Sequence, residues 1–66
     1  MADLHLWWLA ETLTCEYAGA VAADTVVRAV SSAARTLRRL DLSDDVFWEL
    51  TEQMARRQLT DLLAHR

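Results

Sequence analysis

The residues of this 66-residue chain that could do chemistry are one cysteine, two histidines and ten carboxylates, alongside seven arginines and no lysine. A structural metal needs several such ligands close together in sequence or fold. Cys15 has no second cysteine to pair with, and His5 and His65 stand at opposite ends of the chain, so neither a metal site nor a cofactor is expected. A lone cysteine also excludes an internal disulfide, fits a reducing cytoplasm and leaves open only a bridge between chains. Acid–base catalysis requires carboxylates or histidines converging in one pocket. Asp44, Asp45 and Glu49 do cluster, but at a predicted helix start, where the macrodipole already accounts for negative charge. Glu52 and Arg56 form an i, i+4 pair, the usual solvated support of a helix face. Nothing here reads as catalytic, and the chain is expected not to be an enzyme.

The arginines raise a different chemistry. Arg28, Arg35, Arg38 and Arg39 share a face of the second predicted helix, and such a face can track phosphates. Against this stand the net charge of −3 and the absence of interleaved aromatics or a glycine-containing helix-turn-helix. The group reads as a solvated face, or one that pairs with acidic residues of the third helix or of a partner, and nucleic acid is not the expected ligand.

What could position these residues is all helix. The chain has no proline and one glycine, and its apolar residues recur every three or four positions. Three helices are expected, at about 3–18, 24–39 and 44–64, forming a single all-α three-helix bundle over residues 1–66, with short connections that make consecutive helices antiparallel neighbours. Asp3 is the candidate N-cap of the first helix and Gly19 the left-handed residue that ends it. Asp24 is the candidate cap of the second. Ser43 caps the third, with Asp44 and Asp45 in its first turn and Leu42 stapling to Phe47. No stretch approaches the roughly 20 apolar residues of a membrane span, and the start of the sequence lacks the features of a signal peptide, so a cytoplasmic location is expected. Arginine without lysine and abundant alanine fit the codon supply of a GC-rich bacterial or phage genome.

The helical wheel separates a core from a surplus. Leu6, Leu9, Ala10, Leu13 and Tyr17 share one arc of the first helix with Trp7 at its margin, whereas Leu4, Trp8 and Cys15 fall on the opposite side. In the second helix Val26, Val30, Ala33, Leu37 and Leu40 form one stripe, and Ala29, Ala33 and Ala34 allow a neighbour to approach closely. In the third, Phe47, Trp48, Leu50, Met54, Ala55, Leu59, Leu62 and Leu63 spread over roughly 200°, wider than one core requires. Trp7, Tyr17, Phe47 and Trp48 have positions consistent with the core.

The run EYAGAVAADTVVRAVSSAARTL followed by FWELTEQMARRQL, within Leu13 to Leu59, resembles the actinobacterial three-helix bundle dimerization domain, which is found at the N-terminus of proteins related to arsenate reductases and low-molecular-weight tyrosine phosphatases. The residues that carry the resemblance are Tyr17-Ala18-Gly19, Asp24-Thr25-Val26-Val27, the small residues from Ala29 to Ala34, and Ala55-Arg56-Arg57 with Leu59. The chain departs from the pattern before the second helix, where Ala22-Ala23 replaces the usual proline. The resemblance implies dimerization and no activity. The phosphatase nucleophile loop, a cysteine with an arginine six residues on, is missing, since Val21 stands six positions after Cys15.

A 66-residue chain without disulfide or metal buries only about 60% of its unfolded surface and gains from association. The expected role is therefore a protein-association module, forming a homodimer through apolar faces of the first helix, the third, or both, with Leu4, Trp8, Cys15, Phe47, Trp48, Leu59 and Leu63 at the interface. A heterologous protein bound through Leu4 and Trp8 is the alternative, and a small DNA-binding regulator a less favoured third.

Overall fold

A computed structural model describes residues 2–65, the side chains from residue 4 onward. It is an all-α three-helix bundle: α1 Ala2–Glu16, α2 Ala23–Leu37 and α3 Asp44–Ala64. Consecutive helices are antiparallel, so α1 and α3 run in the same direction. The contact between α2 and α3 is the most extensive, α1 packs on α2 over a shorter stretch, and the backbones of α1 and α3 barely approach.

The core follows from residue size along α2. Val26, Ala29, Val30, Ala33, Ala34 and Leu37 are buried, and the three alanines let α3 come close. From α3 the residues that fit are Thr51, Ala55 and Leu59, spaced by four on one face. From α1, Leu9, Ala10 and Leu13 close the core, with Leu6, Tyr17, Val21 and Trp48 packed at its edge. Thr51 is the one buried polar residue described. Its hydroxyl donates to the Phe47 carbonyl at 2.7 Å, so its burial leaves no polar atom unsatisfied.

The helix ends differ from the sequence expectation in specific ways. Helix α1 is already formed at Ala2, which puts Asp3 inside the first turn and not at an N-cap; its side chain lies outside the described residues. The helix ends at Glu16 because the Tyr17 carbonyl turns to accept the N–H groups of Ala20 and Val21, both at 3.0 Å. Gly19 supplies the positive φ, +84°, that this turn needs. Ala22, in extended conformation, occupies the N-cap of α2 without a side-chain bond. Asp24 falls in the first turn and pairs with Arg28 at 3.5 Å, so it caps nothing. Helix α2 stops at Leu37, two residues before the expected end, and Leu40, beyond the helical phase, is exposed instead of joining the core stripe. Ser43 does sit at the N-cap of α3, and its carbonyl accepts the Phe47 N–H at 2.8 Å, but its hydroxyl makes no capping bond.

Candidate protein-association surface

Helix α1 carries large apolar residues on more than one side, and one bundle can cover only one of them. Residues advance about 100° per position, so with the buried arc centred among Leu6, Leu9, Ala10 and Leu13, Trp8 points roughly 150° away and Trp7 roughly 110°. Both indoles lie outside the core. Leu4 is 74% exposed, Trp7 67% and Trp8 60%. The core reading of Trp7 is thereby corrected. The signal for its true place is the i, i+3, i+4 spacing of Leu4, Trp7 and Trp8, which puts all three on one patch.

Along the same face, one turn further, Trp8, Glu11, Thr12, Cys15 and Glu16 line a shallow depression. Cys15 is exposed on this face, on the side opposite the core. Glu11 makes no hydrogen bond or ion pair among the described residues, and the Trp8 indole N–H has no acceptor there either.

Two sets of side chains fix α1 against α3 in spite of the gap between their backbones. Near the start of both helices the His5 ring stacks on Trp48, with centroids 4.2 Å apart and planes within 6°. Trp8 meets His5 edge-on at 5.9 Å, and Phe47 meets Trp48 edge-on at 4.8 Å. An aromatic series thus links the exposed face of α1 to the first turn of α3. Farther along, Arg56 grips the Glu16 carboxylate with two guanidinium nitrogens, Nη2 to Oε1 being 2.9 Å, and donates from Nε to Glu52 at 2.9 Å. The hydrogen bonds from Arg56 hold the Glu16 carboxyl below its ordinary pKa, and the two carboxylates raise that of Arg56. The pair Glu52 and Arg56 is where sequence spacing puts it; the grip on Glu16, forty residues away, carries no local signal.

The seven residues expected at an interface do not form one surface. Leu4, Trp8 and Cys15 share the outer face of α1. Phe47 and Trp48 are half-buried, and one face of the Trp48 ring is taken by His5. Leu59 is completely buried in the chain's own core and has no surface to offer, because it faces α2 in the column of Thr51 and Ala55. Leu63 is half-buried at the opposite end of the bundle, beside Val21 and Leu62. Leu40 and Val46, however, are exposed at the same end as Leu4, Trp7 and Trp8, which concentrates exposed large apolar residues there.

Arg35, Arg38 and Arg39 are exposed and form no ion pair among the described residues. Among those residues no group of three histidine, cysteine or carboxylate side chains could hold a metal ion. No described helix is long and apolar enough to cross a membrane. No protein-family model, curated protein or solved structure matches the chain.

Proposed function

We propose that the chain is a non-catalytic association module that pairs with a second copy of itself through the outer face of α1. The observation that carries this reading is the exposed patch of Leu4, Trp7 and Trp8 on a helix whose opposite face is already committed to the core. Three such side chains offer on the order of 400 Å² of apolar surface, the size of the largest patch on a typical monomer, which is often a functional one. The resemblance to a dimerization bundle, read from other residues of the sequence, adds support.

Light scattering over a concentration series tests the reading. The wild-type chain is expected at twice its monomer mass at high micromolar concentration. Trp8→Glu should return it to monomer, while Arg35→Glu on the far face leaves the mass unchanged. A wild-type chain that stays monomeric throughout overturns self-association and leaves the patch to a different protein.

A further inference from the structure

We draw no further inference here: the strongest candidate, the exposed apolar patch of Leu4, Trp7 and Trp8 on the outer face of α1, belongs to the surface already described, and nothing in the structure shows what covers it.

Discussion

Gly19 and Ser43 sit at comparable places, each beside a helix end, and the structure assigns them unequal weight. At Gly19 φ is +84°, and a Cβ built there meets nothing within 4 Å. The whole cost of a side chain is then backbone strain, so Gly19→Ala should lower stability by about 1–2 kcal/mol in a denaturant titration, and Gly19→Asn by less. A neutral alanine variant would mean that the turn is remade without a left-handed residue. Ser43 has the position of a cap but not its bond. Ser43→Ala should shift the unfolding free energy by no more than about 0.5 kcal/mol, and a loss above 1 kcal/mol would show that the hydroxyl caps α3 in solution. A sequence motif names the residue at a cap; only the rotamer decides whether the cap is made.

At the scale of elements, what was legible depended on how one-sided each helix is. Val26, Val30, Ala33 and Leu37 could be read as a core stripe because the opposite face of α2, with Asp24, Arg28, Ser32 and Arg35, is polar. The outer face of helix α1 mixes apolar and polar residues, so periodicity alone could not say that Trp7 belongs with Trp8 and not with Leu6. Thr51 was illegible for another reason: its polarity is cancelled within its own helix turn. The clamp of Arg56 on Glu16 depends on how α1 and α3 are laid side by side, which no spacing encodes. That clamp has a pH dependence. The folded Glu16 carboxyl sits below its ordinary 4.5, so the stabilisation is complete above that value and is lost as the pH falls through the lower folded pKa. Glu16→Gln should therefore be less stable than wild type at neutral pH, with the difference shrinking in thermal melts taken below pH 4.5. Because both partners are partly exposed, added salt should also narrow it. A difference that is the same at pH 7 and in acid would assign the effect to packing.

The bundle measures 34 × 22 × 14 Å, and its cohesion is unevenly divided. Two helices share a long seam of small residues, while the third leans on one of them and is tied to the other by a ring stack and an ion pair. Such a division sets the order in which the structure opens. Parts of a protein with less buried contact detach at lower free energy than the whole unfolds, so α1 should open as a unit while α2 and α3 remain paired. Native-state hydrogen exchange should show this as amides of Leu9 to Leu13 exchanging through a smaller opening free energy than those of Val30 to Ala34. Equal values would mean that all three helices open together. Since the surface proposed for pairing lies on this same helix, association should slow exchange in α1 far more than in α2, and the least protected part of the monomer would become the part whose protection reports protein concentration.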